Sequence, residues 1–477
     1  MIFPAEKLTA AVQNPKLQTA IYDSTGRLME KRRVAITPDS IDDFQAYRTQ
    51  AHRIKQHTIE NLDYYLEQFE RNVTANGGKV VWARDADEAV AFVRQICQEK
   101  GVKRIVKSKS MTTEEIELNH ELEHDNIDIV ETDLGEYILQ LANEKPYHIV
   151  APALHKTRYV VADIFTEKLG EEREEVIEKQ TMIARRRLRE KFVTAELGIT
   201  GGNFLIADSG AITIVENEGN ARLSSSAPRI QIAVAGIEKL IPRAQDLATF
   251  LKVLGRSATG QPLTVYTSFL SGPRRENEID GPEEFYVLLI DNGRTKVIAD
   301  PAKRQSLYCI RCGACLNHCP VYRKIGGHNY PWVYSGPIGA ILSPQFHGVA
   351  TDPWLPYASS LCGACAEVCP VKIEIPKILL ELRHEVTEAK RAVGDGRLEK
   401  LAFQLYSFVM TRPGLYNFIA GMAPRFFPGQ SDGKWLNKVP GVMSIPPVAG
   451  WLSQRDLPPP PEKSFRELWR ERSGGRA

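Results

Sequence analysis

Long hydrophobic runs are missing from this chain. No stretch approaches the roughly 18–20 apolar residues that cross a bilayer, so no transmembrane span is expected. The opening MIFPAEKLTAAVQNPK has no basic segment followed by an apolar one, and no secretory signal is expected either. An excess of one charge is also missing. Lys and Arg number 61 against 59 Asp and Glu, a formal net charge of +2, which speaks against a nucleic-acid binder. Cysteine is scarce and concentrated: seven of the eight fall between Cys309 and Cys369. A disulfide framework would spread them and carry a signal. Clustering at short spacings in a chain of cytoplasmic type reads as metal ligation.

The 477 residues leave room for about three domains, and 43 % hydrophobic with 25 % charged residues is ordinary for a globular protein. Residues 1–75 read as a helical N-terminal region, with Ile41, Phe44, Tyr47, Ile54, Ile59, Leu62, Tyr65 and Phe69 at roughly helical intervals. Across 76–300 short apolar runs alternate with amphipathic stretches. The runs VVWA (80–83), RIVKS (104–108), DIVET (128–132), HIVAPA (148–153), AITIVE (211–216), IQIAVAG (230–236), LTVYTS (263–268) and FYVLLI (285–290) read as strands. Asp87 to Glu99 reads as a helix, and Thr112-Thr113-Glu114-Glu115 is a capping box that should start another. This pattern predicts an α/β domain with a largely parallel sheet. Glu171 to Glu196, rich in both Glu and Arg, predicts a long solvated helix. Residues 301–385 are rich in Cys, Gly and Pro. Helical patterns return over 386–477, broken by the polyproline spacer Leu457-Pro458-Pro459-Pro460-Pro461.

The first cysteine motif is Cys309-Ile-Arg-Cys312-Gly-Ala-Cys315-Leu-Asn-His-Cys319-Pro320, the bacterial ferredoxin run. Its two-residue gaps let one tight loop present three thiolates to one iron–sulfur cube, while the fourth cysteine turns to a second cube. The second motif, Cys362-Gly-Ala-Cys365-Ala-Glu-Val-Cys369-Pro370, repeats the Cys-Gly-Ala-Cys core and the terminal C-P. A crossed assignment follows. Cluster one takes Cys309, Cys312, Cys315 and Cys369; cluster two takes Cys319, Cys362 and Cys365. Cluster two is one thiolate short, and alignment of the motifs puts Ser359, with Ser360 beside it, in the missing position. Three outcomes stay open: a [4Fe–4S] cube with an oxygen or water ligand, a [3Fe–4S] cluster, or a ligand from a partner or substrate. The four-iron cube with one non-cysteine site is preferred. Zinc wants four ligands closed around each ion, and seven cysteines, three of them within seven residues, fit it poorly. Cys97, in AVAFVRQIC, reads as a buried helix thiol.

Weaker signals have plain explanations. His120-Glu121-Leu122-Glu123-His124 matches the zincin pattern H-E-x-x-H, but it lies among acids with no third ligand in sight and reads as a solvated helix. Gly198-Ile-Thr-Gly201-Gly202-Asn203 and Ala207-Asp208-Ser209-Gly210 read as tight turns or an anion-binding loop. Glu216-Asn217-Glu218-Gly219-Asn220, followed by Arg222, reads equally well as cleft lining and as turn chemistry at a strand end. His148, His155, Lys156, Lys107, Lys109 and Arg229 are candidate carboxylate-binding groups.

With VYRKIGGHNYPWVYSGPIGAILSP after the first motif and SSLCGACAEVCPVKI around the second, the chain resembles the lactate utilization protein B family. ETDLGEYILQLANEKPYHIVAPALH (131–155) and GITGGNFLIADSGAITIVENEGNARL (198–223) resemble that family's LUD domain. The resemblance implies an isomerase/CoA-transferase-like α/β LUD domain, then a helical two-cluster ferredoxin domain, then a helical tail. It implies two [4Fe–4S] clusters on the seven cysteines, and partners that are the A-type and C-type lactate utilization subunits. The implied role is an iron–sulfur electron-transfer subunit of a system oxidising L-lactate to pyruvate, passing electrons to a further acceptor. No catalytic residue is carried over. Two rival roles are a hydroxy-acid-binding subunit that uses the incompletely ligated cluster as Lewis acid, and a redox-sensing scaffold. Any membrane contact is expected to be peripheral, at the inner face; Tyr416 to Met422 with Phe426-Phe427 is the candidate segment, although burial against the ferredoxin domain is the preferred reading of it.

Overall fold

The computed structural model describes residues 4–394, 396–426, 430–431, 436–438, 458, 463 and 465–473. The chain divides into two compact units, Met1–Ala389 and Lys390–Ala477.

The first unit is built on ten strands: β1 (Lys79–Ala83), β2 (Arg104–Lys107), β3 (Asp128–Glu131), β4 (Leu197–Thr200), β5 (Phe204–Ile206), β6 (Ala211–Glu216), β7 (Ile230–Gly236), β8 (Leu240–Ile241), β9 (Tyr266–Leu270) and β10 (Glu284–Ile290). Six form one sheet in the order β1-β10-β7-β4-β2-β3, with every neighbouring pair parallel. The central strands β7 and β10 are the runs IQIAVAG and EFYVLLI, buried along nearly their whole length, as a strand covered on both faces must be. Alternate residues face opposite layers. Ile232, Val234, Leu288 and Ile290 pack with Val90, Val93 and Ile96 of the helix Ala86–Lys100. Ala233, Ala235, Val287 and Leu289 pack with Phe69 and Val73 of the helix Leu62–Ala75. A second sheet, β8-β5-β6-β9, carries two antiparallel pairs and one parallel pair.

Several sequence expectations need correction. HIVAPA is not a strand. The His148 ring accepts from the N–H groups of Val150 (3.1 Å) and Ala151 (3.2 Å), and this local turn replaces a ladder. The helix at Met111–Glu115 is capped by Ser110, whose Oγ accepts from Thr113 N, and not by Thr112. The long helix starts only at Ile177 and ends at Thr194, and it buries Ile183, Ala184 and Leu188 on one face. AITIVE lies in the second sheet, as β6, and LTVYTS contributes to β9 a few residues late.

Gly198 is not a turn residue but the middle of β4, where a Cβ would stand 1.8 Å from the Ser224 carbonyl oxygen. Gly198→Ala is therefore expected to cost about 1–3 kcal/mol by overpacking, read as a lowered urea midpoint with an unchanged denaturant slope.

The helices before β1 do not form a layer of their own. Phe44, Ala51 and Ile59 share one core with Phe204 and Phe250 and with the cysteine segment, through Leu316, Tyr322, Ile341 and Leu379. The cysteine segment therefore owes its packing to the rest of the unit.

In the second unit the helices Arg397–Met410 and Pro413–Phe426 pack on each other and expose Leu401, Phe403, Tyr406 and Phe418. Phe427, and the polyproline spacer apart from Pro458, lie outside the described residues. Among the described residues no helix is long and apolar enough to cross a membrane.

Candidate iron–sulfur site

The two cysteine motifs fold alike. In each, the residue before the second ligand position has a left-handed backbone (Arg311 φ 59°, Leu361 φ 55°), and a left-handed glycine follows (Gly313 φ 71°, Gly363 φ 85°). Each glycine starts a one-turn helix, Ala314–His318 in the first and Ala364–Val368 in the second, and these two helices pack together. The left-handed residue turns its N–H back onto the first ligand position. Arg311 N donates to Cys309 Sγ at 3.4 Å, and Leu361 N donates to Ser359 Oγ at 3.1 Å. Ser359 thus stands in the second motif where Cys309 stands in the first, and the adjacent Ser360 hydrogen-bonds the Cys362 thiol.

The thiols fall into two electrostatic neighbourhoods. Cys309 and Cys369 both raise Cys312, Cys309 also raises Cys369, and Cys315 feels all three. Cys319 feels Cys362, and Cys365 feels both. Cys315 also feels Cys365, so the two groups adjoin. Burial is the leading cause that lifts Cys369 to about 11 and Cys365 to about 12, and it lifts Cys312, Cys315 and Cys319 as well. Cys362, exposed, is instead lowered by the N–H of Ala364. Buried thiolates so close together need a multivalent cation to ionise, and iron supplies one. Cys97 lies apart, in the core under Ala86–Lys100, lifted to about 11 by burial.

The first group is ringed by cations. Arg48 donates through Nε (2.9 Å) and Nη2 (2.7 Å) to the Cys369 carbonyl, and Arg32 Nη2 donates to the Val368 carbonyl at 3.2 Å. Lys55, pulled down to about 7 by burial, donates to the carbonyls of Glu238 and Leu240. Arg311 is buried over the Tyr334 ring at 4.5 Å, and its Nε and Nη1 have no acceptor among the described residues. Orphaned guanidinium N–H groups beside a set of thiols fit a bound anionic cluster. The sequence reading missed these cations. The helix Phe44–Glu60 buries Phe44, Arg48, Ala51, Lys55 and Ile59 on one face, so two cations sit in its apolar stripe, and that was the available signal.

The other candidates disperse. His120 and His124 are exposed with Nε2 atoms 3.3 Å apart, and no third ligand joins them among the described residues. His148 is buried against Asn317 at 3.1 Å, and burial holds it near 3. His155 and Lys156 pair with Glu144. Lys107 is buried on Glu131 (2.6 Å) and Glu114 (3.1 Å). Arg229 donates to the Lys100 carbonyl at 2.8 Å. Lys109 donates to the Val150 carbonyl at 2.8 Å and lines a cavity of about 280 Å³ together with Asn203, Glu216, Glu218, Lys239 and Arg311.

Comparison with known proteins matches three segments of the chain. Residues 66–290 match the LUD domain, 305–373 the 4Fe-4S dicluster domain, and 381–474 the lactate utilisation protein B C-terminal region. The chain is 43 % identical over 473 residues to lactate utilization protein B of Bacillus cytotoxicus, covering 98 % of this chain and 97 % of the relative. It is 42 % identical to the protein of the same name from Bacillus thuringiensis, over the same shares. A crystal structure of a DUF162 family protein from Deinococcus radiodurans covers 48 % of this chain and 98 % of its own, at 12 % identity and a TM-score of 0.27, too slight a likeness to carry an argument.

Proposed function

Because this chain belongs to the lactate utilization protein B family, with a LUD domain, a 4Fe-4S dicluster domain and a role in lactate utilisation, we propose that it is the iron–sulfur electron-transfer subunit of a multi-subunit system oxidising L-lactate to pyruvate. The observation that carries the reading is the pair of adjoining thiol groups, each drawing residues from both motifs. Cys309, Cys312, Cys315 and Cys369 hold the first cluster; Cys319, Cys362 and Cys365 hold the second, with Ser359 in the fourth position. The oxidation releases two electrons and two protons, and bound [4Fe–4S] clusters supply two adjacent one-electron carriers. The chain's own residues set their environment. Arg32, Arg48 and Arg311 place positive charge beside the first group, which favours its reduced state. The second group has the exposed Cys362 and a serine, and so faces the acceptor side.

The other lactate utilization subunits supply or receive the electrons in this reading. Membrane contact, if the acceptor lies there, is peripheral, through the exposed apolar faces of Arg397–Met410 and Pro413–Phe426.

Anaerobically purified protein is expected to hold about eight irons and eight sulfides per chain. Two interacting paramagnetic signals are expected on reduction. Ser359→Cys should leave the first signal unchanged and shift the second, because it changes only the oxygen in the fourth position. Iron-free folded protein, or a Ser359→Cys change confined to the first signal, would end the reading. The redox-sensing alternative has no observation in its favour.

A further inference from the structure

The cavity of about 280 Å³ opens where the ends of β2, β4 and β6 meet the helix Leu247–Ala258 and the first cysteine loop, which contributes Arg311. At the small end of ligand-pocket volumes, it suits a molecule of a few heavy atoms and excludes a dinucleotide or a flavin. Its acids are already engaged by backbone N–H groups. Glu216 accepts from Ala221 N and Arg222 N at 2.9 Å each. Asp133 accepts from Gly135 N at 2.9 Å, and Glu218 accepts from Leu134 N at 3.1 Å. Burial raises Glu218 to about 7, which further weakens its repulsion of an anion.

Lys239 is different. It sits in the bend Ile237–Lys239 between β7 and β8, only 9 % exposed, and it lines the cavity. Among the described residues nothing accepts a hydrogen bond or forms an ion pair with its ammonium. The carboxylate next to it in sequence, Glu238, is taken by Arg294 at 2.5 Å and Arg311 at 3.4 Å. A buried ammonium without a partner is costly, and an anionic ligand would repay the cost. Around it the open valences are donors. Asn203 accepts from Val215 N through Oδ1, leaving its amide N–H groups unused. Ser110 Oγ accepts from Thr113 N, leaving its O–H unused. A Cβ on Gly201 would stand 2.9 Å from Ser110 Oγ, so glycine there keeps that hydroxyl clear.

We propose that this cavity binds a small 2-hydroxy or 2-oxo monocarboxylate, its carboxylate on the Lys239 ammonium and the oxygen on C2 on Ser110 and Asn203, so that the substrate or product is held in this subunit beside the first thiol group. The choice of a C2-oxygenated acid rests on the lactate reading above; the anion preference rests on the cavity alone.

The test is calorimetric titration of the anaerobically purified protein with L-lactate, pyruvate, acetate and inorganic phosphate. Pyruvate or L-lactate should bind, and acetate, without the C2 oxygen, should bind about tenfold more weakly. Lys239→Gln should weaken binding roughly 10- to 100-fold at unchanged iron content. Should that variant lose its iron, the wild-type protein serves: pyruvate should slow acetylation of Lys239, read by mass spectrometry. No binding of either acid, equal binding by iron-replete Lys239→Gln, or no protection of Lys239 overturns the site. Phosphate or acetate binding as tightly as pyruvate overturns the substrate class. The iron count and paramagnetic signals of the wild-type protein are read without any ligand, so failure here and failure of the electron-transfer reading are separate results.

Discussion

Arg294→Met should destabilise the first unit by about 3–5 kcal/mol, because it strands two buried carboxylates. Arg294 is wholly buried at the start of the helix Arg294–Ile298. Its Nη1 and Nη2 donate to Glu115 at 2.8 and 2.9 Å, and its Nε donates to Glu238 at 2.5 Å. Glu115 also accepts from Asn292 Nδ2 at 2.7 Å and from the Tyr334 hydroxyl at 2.6 Å. Tyr334 in turn lies under Arg311. The network ties the ends of β7 and β10 to the first cysteine loop, so its loss should also lower the iron content. The groups are fully buried, and solvent screening gives no relief. Despite burial, the guanidinium groups of Arg294 and Arg311 hold Glu238 down to about 2. Its folded value lies below its ordinary 4.5, so its contribution is fully present above about 4.5 and is lost as the pH falls toward 2. The variant should therefore show a smaller loss of stability with acid over that window as well as a lower midpoint at neutral pH. Urea unfolding at several pH values reads both. A change under about 1 kcal/mol would show that the carboxylates find other partners.

What could be read in the sequence was what is local. Three thiols within seven residues carry their ligand geometry with them, and the runs at β7 and β10 announce strands buried on both faces. What could not be read depended on distant partners. Gly198 to Asn203 reads as a tight turn or an anion-binding loop, yet its first three residues belong to β4; Gly198 is there because the Ser224 carbonyl passes over it. HIVAPA has strand composition, but the His148 ring captures its N–H groups, and Asn317 of the cysteine segment meets the other ring nitrogen. Sequence reading singles out none of Arg32, Arg48 and Lys239, yet all three are buried. The partners of Arg32 and Arg48 are carbonyls more than 300 residues away in sequence, which no spacing rule reveals.

Cys369→Ser decides between the crossed assignment and one in which each motif holds its own cluster. Cys369 belongs to the second motif by sequence, but its thiol feels Cys309 and is felt by Cys312 and Cys315. The expected result is loss of about half of the iron, with disappearance or conversion to a three-iron form of the signal that Cys312→Ser also removes. The signal shared by Cys362 and Cys365 should persist. A serine hydroxyl ionises far less readily than a thiol and cannot replace the thiolate in the buried first group. The fold should survive the change, for a specific reason. Arg48 holds this position through the Cys369 carbonyl, at 2.9 and 2.7 Å, and serine keeps that carbonyl. The helix Phe44–Glu60 therefore stays docked, and loss of iron can be separated from unfolding by circular dichroism. If the missing signal were instead the one removed by Cys362→Ser, each motif would be holding its own cluster, and the pairing of Cys369 with Cys309, Cys312 and Cys315 would be wrong.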